Sequence, residues 1–191
     1  METKDAIIGR RSVRRYTDQS LNDSDVQDII TAGLYAPSAI DLQPWYFVVI
    51  KSTEKLEEFR TFMSDVYDEF EPVLNERFAN HPATIAETKV FLNSLGGAQC
   101  CILAFMLKQD YPDKKSVIEG VSAAVQNMLL AAYDMGIGSC WMTAPMRAGM
   151  DEELRRKYAA EHGEFIAAVT FGYPAYTPKA PQRKEGRYVI I

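Results

Sequence analysis

Four arginines fall within six residues, Arg10-Arg11-Ser12-Val13-Arg14-Arg15, in a chain of 191 residues whose formal net charge is -5. Guanidinium groups are planar and always charged. Several of them around a hydroxyl supply both the charge and the directed N–H donors that a phosphate monoester demands. The competing reading is a solvated basic turn after a first helix, and the cluster alone does not separate the two. Other candidates for chemistry are few. His81 and His162 are the only histidines, and neither belongs to a metal-ligand spacing. No Gly-x-Gly-x-x-Gly or P-loop pattern follows a strand-like run, and no nucleophile elbow is present. Chemistry in such a chain belongs to a bound cofactor rather than to a side-chain triad.

Composition narrows the classes further. With 47% hydrophobic and 25% charged residues, the chain suits one globular domain over residues 1–191. A pI near 5.1 argues against nucleic-acid binding, which needs a broad basic face rather than one short cluster. Cys100, Cys101 and Cys140 match neither a disulfide framework nor a zinc site, so a cytoplasmic setting is expected. Cys100 and Cys101 could form a redox pair, but they lie in an apolar run where cysteine behaves as a small hydrophobe. The N-terminus lacks a signal-peptide pattern, and no apolar stretch reaches membrane-spanning length.

The elements that must position the arginines can be read in outline. A short helix ends near Gly9, and a second follows the capping residues Asn22 to Ser24 and stops before Pro37. Strands are expected at Tyr46–Lys51, Cys100–Leu107, Ser139–Met142 and Phe165–Phe171, with amphipathic helices over Thr53–Phe70 and Asp151–Glu161. Residues 75–88 are harder to assign, and Lys108 to Lys115 reads as a polar loop. Ser116–Met135 has apolar residues on nearly every side, so it is expected to be buried all round, in part against a second subunit. The terminal run Tyr188-Val189-Ile190-Ile191 must bury itself somewhere, and adding a strand to a sheet edge would do so.

Two blocks together carry a family resemblance. Arg10-Arg11-Ser12-Val13-Arg14, followed by Ala36-Pro37-Ser38-Ala39-Ile40-Asp41-Leu42-Gln43-Pro44-Trp45, resembles the paired signature of the FMN-dependent nitroreductase family. The likeness continues in Gln126-Asn127-Met128-Leu129-Leu130, in Met135-Gly136-Ile137-Gly138-Ser139 and in Gly172-Tyr173-Pro174-Ala175, in family order and across nearly the whole chain. It implies an α+β three-layer sandwich, a mostly antiparallel sheet flanked by helices, with the C-terminal segment exchanged in a homodimer. It also implies an enzyme that passes hydride from NADH or NADPH through FMN N5 to a nitroaromatic or quinone by a ping-pong mechanism. The same fold could instead serve a dehalogenase or dehydrogenase type of reaction, or hold flavin without turnover.

Residue by residue, the resemblance places Arg10 and Ser12 at the FMN phosphate or ribityl chain, with Arg11 beside them, and Arg14 at the pyrimidine edge of the ring. Arg183 in the basic tail, or Lys184 in its place, would close over the phosphate. Pro37, Ser38 and Ala39 would line the cofactor from the other subunit, with Gln43 holding that loop or reaching the ribityl hydroxyls and Asp41 near the flavin or its substrate face, and Met142 and Thr143 would approach N5 through the backbone. Asp41 stands where family members commonly have asparagine, and a carboxylate there would disfavour anionic substrates. Val73-Leu74-Asn75-Glu76-Arg77 resembles a segment from which some members supply an asparagine to the flavin.

Overall fold

The computed structural model describes residues 1–108 and 110–191, so Gln109, within the expected polar loop, lies outside the described residues. Four strands form one antiparallel sheet: β1 (Trp45–Ile50), β2 (Cys100–Met106), β3 (Gly138–Met142) and β4 (Phe165–Gly172), in the order β1-β2-β4-β3. Every residue of the central strands β2 and β4 is buried. That explains their unbroken apolar sequences, because both faces of the sheet must be covered.

The covering shows in how β2 divides its side chains. Cys100, Ile102 and Ala104 join one apolar cluster, whereas Cys101, Leu103 and Phe105 join the other. Successive strand residues point to opposite faces, so this alternation defines three layers. The first cluster is roofed by α2 (Asp23–Leu34) and α5 (Lys114–Asp134), and α1 (Thr3–Gly9) also packs on α5. The second is roofed mainly by α3 (Thr53–Arg77), with Phe91 and Leu92 of α4 (Pro82–Ser94) and Leu154 of α7 (Asp151–Tyr158). A short α6 (Ala144–Arg147) follows β3 directly. The alternation also answers the question of the vicinal thiols. Cys100 and Cys101 face opposite cores, all three cysteines are free, and burial raises the Cys100 pKa to about 12. They are core residues.

Two expectations are not met within a single chain. Val117, Val121, Val125, Met128 and Leu129 of α5 are buried, but Ile118, Ala123 and Leu130 are only half-covered and Gln126 is exposed. One face of the helix is therefore only partly covered by its own chain. The terminal run does not form a strand within one chain either, since Tyr188 is 86% exposed and Ile190 88%. No helix among the described residues is long and apolar enough to cross a membrane.

Candidate cofactor site

The arginine segment is extended and fixed to the sheet by its backbone. Ser12 bridges Ser139 of β3, and the Val13 N–H donates to the Ser139 carbonyl at 2.9 Å. Tyr16 bridges Pro174, just beyond β4, and its N–H donates to the Gly96 carbonyl at 2.9 Å. Its hydroxyl donates to the Val13 carbonyl at 2.7 Å and lies 2.9 Å from Thr170 Oγ1. Val13 and Tyr16 are buried, so they anchor the strip while Arg14 and Arg15 stay exposed between them. A second contact fixes the register. Gly96 has a left-handed backbone (φ 64°), and a Cβ there would lie 2.3 Å from the Arg14 carbonyl oxygen. Only glycine lets the turn after α4 come this close.

The strip separates two concave surfaces. The smaller, of about 190 Å³, is lined by Arg10 and Arg11, by the Gly136–Ser139 turn into β3 and by Pro174. Burial lowers the Arg10 pKa, with Arg11 and Arg183 adding repulsion against the opposing influence of Cys140. Ser139 Oγ is buried there with no hydrogen-bond partner. Among the described residues no carboxylate lies within ion-pairing distance of Arg10, Arg11, Arg14 or Arg15. Repelling cations beside an orphaned hydroxyl are what an anion would relieve. Arg11 is partly spent, because its Nη1 donates to the Ile8 carbonyl (2.6 Å) and to the Arg10 carbonyl (2.7 Å) at the end of α1.

The larger cleft, of about 550 Å³, lies further along β3, at Cys140–Met142. Arg14, Met142 and Thr143 line it, together with Phe70, Val73 and Arg77 of α3, Phe91 of α4 and Arg147 of α6. The Arg14 guanidinium lies 5.9 Å from the Phe91 ring centre, within cation–π range. Cys140 lines this cleft as a neutral thiol, since burial raises its pKa more than Arg14 and Arg10 lower it. Aromatic walls with the Arg14 guanidinium beside Phe91 suit a flat conjugated ring with a polar rim. Val73 and Arg77 of the weakly matched segment line this cleft, whereas Asn75 does not.

The Pro37–Gln43 loop is built differently. Ile40 (φ 42°), Asp41 (57°) and Gln43 (46°) all have left-handed backbones, which is costly for a β-branched residue such as Ile40. The Gln43 N–H donates to Ser38 Oγ at 3.0 Å, and Gln43 Nε2 donates to Asp41 Oδ1 at 3.0 Å. Gly120 of α5 lies beneath it, where a Cβ would approach Ser38 Cβ at 3.3 Å. The structure thus brings Arg10, Arg11, Ser12, Arg14, Met142 and Thr143 together around β3. Pro37, Ser38, Ala39, Asp41 and Gln43 line neither surface of their own chain. Arg183 stands in the exposed tail, close enough to Arg10 to repel it. Sequence reasoning missed Phe70, Phe91 and Arg147; Arg147 stands alone between Met146 and Ala148, with no basic neighbour to mark it.

The sequence profile of the nitroreductase family matches residues 7–173. The chain belongs to the nitroreductase family. Its α+β sandwich of an antiparallel sheet between helices is the nitroreductase fold. Among its relatives is an Archaeoglobus fulgidus protein provisionally named NADH dehydrogenase/NAD(P)H nitroreductase, 30% identical over 169 residues, or 88% of this chain and 83% of that one. The NADPH-flavin oxidoreductase of Vibrio harveyi is 26% identical, covering 98% of this chain and 72% of its own. A provisionally named nitroreductase from Desulfovibrio desulfuricans, solved in complex with FMN, superposes with a TM-score of 0.70 at 26% identity, covering 100% and 96%. A BluB-like flavoprotein from Clostridium difficile gives 0.76 at 25%, covering 100% and 99%.

Proposed function

We propose that residues 1–191 form one FMN-binding domain of an oxidoreductase that carries hydride from NADH or NADPH to an electron-poor acceptor, a nitroaromatic or a quinone. The observation that carries this is the pair of surfaces that follow one another along β3. One has the unpaired Arg10 and the orphaned Ser139 hydroxyl, and the other is an aromatic cleft edged by Arg14. Their contents fit the two ends of FMN. Arg10 and Ser12 would hold the phosphate or ribityl end, with Arg11 adding charge and Arg183 closing from the tail. Arg14 would face the pyrimidine edge, and the backbone of Met142 and Thr143 would face N5.

Bound FMN supplies a centre that accepts and then donates hydride. The protein's part is to bind, orient and tune. The Arg14 cation favours negative charge on the ring and so makes reduction easier. The apolar walls of α3 and α4 exclude water around the transfer. The single open cleft admits donor and acceptor in turn, which is a ping-pong order and needs no separate dinucleotide motif.

A homodimer completes this reading. The partly covered face of α5, the exposed Tyr188–Ile191 run and the loop at Pro37–Gln43 are surfaces that a second copy would use, the last supplying Pro37, Ser38, Ala39, Asp41 and Gln43 to the neighbouring cofactor. The test is anaerobic mixing of the FMN-loaded protein with NADH or NADPH, followed by p-benzoquinone. Loss and return of the flavin absorption, with parallel double-reciprocal plots in steady state, are expected. A flavin that neither nucleotide bleaches would mark a binder without turnover.

A further inference from the structure

We infer that Arg77 and Arg147 make the mouth of the larger cleft a recognition site for an anionic group, a carboxylate or phosphate, carried by the ring-shaped reactant that docks there. The inference rests on the flavin reading above and adds a class of reactant to it.

The cleft reverses the charge of the molecule around it. Acidic residues outnumber basic ones 26 to 21 in the chain, yet three arginines, Arg14, Arg77 and Arg147, line the cleft against the single carboxylate of Glu87. Arg14 faces the cofactor, which leaves Arg77 and Arg147 for whatever enters. Both are exposed, and among the described residues neither is ion-paired. Arg77 is the last residue of α3 and Arg147 the last of α6, two helices that pack on each other.

A cation at a helix C-terminus also offsets the helix dipole, and that is the plainer explanation. It does not account for the distribution. The last turns of α1, α2, α4 and α5 carry no basic residue at all. The last turn of α7 carries Arg155, Arg156 and Lys157, of which Arg155 is ion-paired, with Glu152. Dipole compensation explains a cation at one helix end or another, but not that the ends of α3 and α6 bring Arg77 and Arg147 to the same cleft. Its apolar lining of Phe70, Val73 and Phe78 would take the ring while the two guanidiniums take the charge. Asp41, which in sequence pointed the other way, is held by Gln43 and lines neither surface of its own chain.

The anion could belong to the acceptor, as a ring carboxylate, or to the nucleotide donor, as a phosphate, and two arms of one experiment separate them. The FMN-loaded protein is assayed with 4-nitrobenzoate against neutral 4-nitrobenzyl alcohol as acceptor. In the second arm, NADH is compared with neutral 1-benzyl-1,4-dihydronicotinamide as donor. In at least one arm the charged reactant should be favoured about tenfold in kcat/KM, through KM, and the preference should shrink as salt rises. In the Arg77→Gln/Arg147→Gln double variant that ratio should fall toward one, and the arm in which it falls names the source. Equal rates on charged and neutral partners in both arms, or ratios unchanged in the double variant, overturn the inference alone. Failure with every donor overturns it together with the flavin reading.

Discussion

The Arg10–Tyr16 strip and the Pro37–Gln43 loop carry the two halves of one sequence signature, yet the chain treats them in opposite ways. The strip is held by hydrogen bonds to β3, to the turn after α4 and to the segment after β4, and its anchors are buried. The loop is held by its own side chains, keeps three left-handed residues and exposes Ile40 to 76%. One half is finished within a single chain. The other is shaped at some cost and faces outward, where the proposed second copy would use it.

Removing residues 179–191 attacks that contrast hardest, because it takes away Arg183 and the apolar terminus together. Tyr188–Ile191 are exposed in the single chain, and in the proposed dimer their burial would contribute about 1.5–3 kcal/mol each, so their loss should abolish dimerisation and weaken FMN binding by about 100-fold or more. Sedimentation and flavin titration check it, and a truncated dimer that keeps FMN would show that the tail has no such part.

Arg10→Ala, within the strip, should weaken FMN binding by about 10- to 100-fold, the worth of a charge-assisted hydrogen bond of about 1.5–3 kcal/mol. Arg14→Ala should instead act on the ring. Its expected mark is a reduction potential lower by about 30 mV, the two-electron equivalent of about 1.4 kcal/mol. Identical effects of the two substitutions on affinity and potential would erase the division between the two surfaces. The smallest effect is expected in the loop. Ile40→Gly should relieve about 1 kcal/mol of backbone strain and raise the melting temperature by about 2–4 °C. No gain would mean that the left-handed turn carries no strain.

Much of this architecture was legible in the sequence because single chains encode their own burial. The four strands announced themselves as apolar runs, and the core role of Cys100 and Cys101 followed from the run they occupy. The places that escaped notice have physical causes. α3 continues through Pro72 to Arg77 because Leu74 is still buried beyond the proline. α4 buries only Phe91 and Leu92, so it presents no apolar stripe, and α6 is a single turn. Those two helices and the end of α3 are also what shape the larger cleft, so the arginine strip could be read in sequence while the surface facing it could not. The terminal run Tyr188–Ile191 was legible as apolar, but its cover is absent from its own chain.

The central claim is that one cofactor is divided between a phosphate end at Arg10 and a ring end at Arg14. Dissociation constants for FMN and for riboflavin, which lacks the phosphate, test it directly in the parent protein and in the two arginine variants. FMN should bind at least about 100-fold tighter than riboflavin in the parent, given several charge-assisted hydrogen bonds to the phosphate. That advantage should collapse in Arg10→Ala and survive in Arg14→Ala. An advantage that is absent from the parent, survives Arg10→Ala or is lost equally in both variants would contradict it.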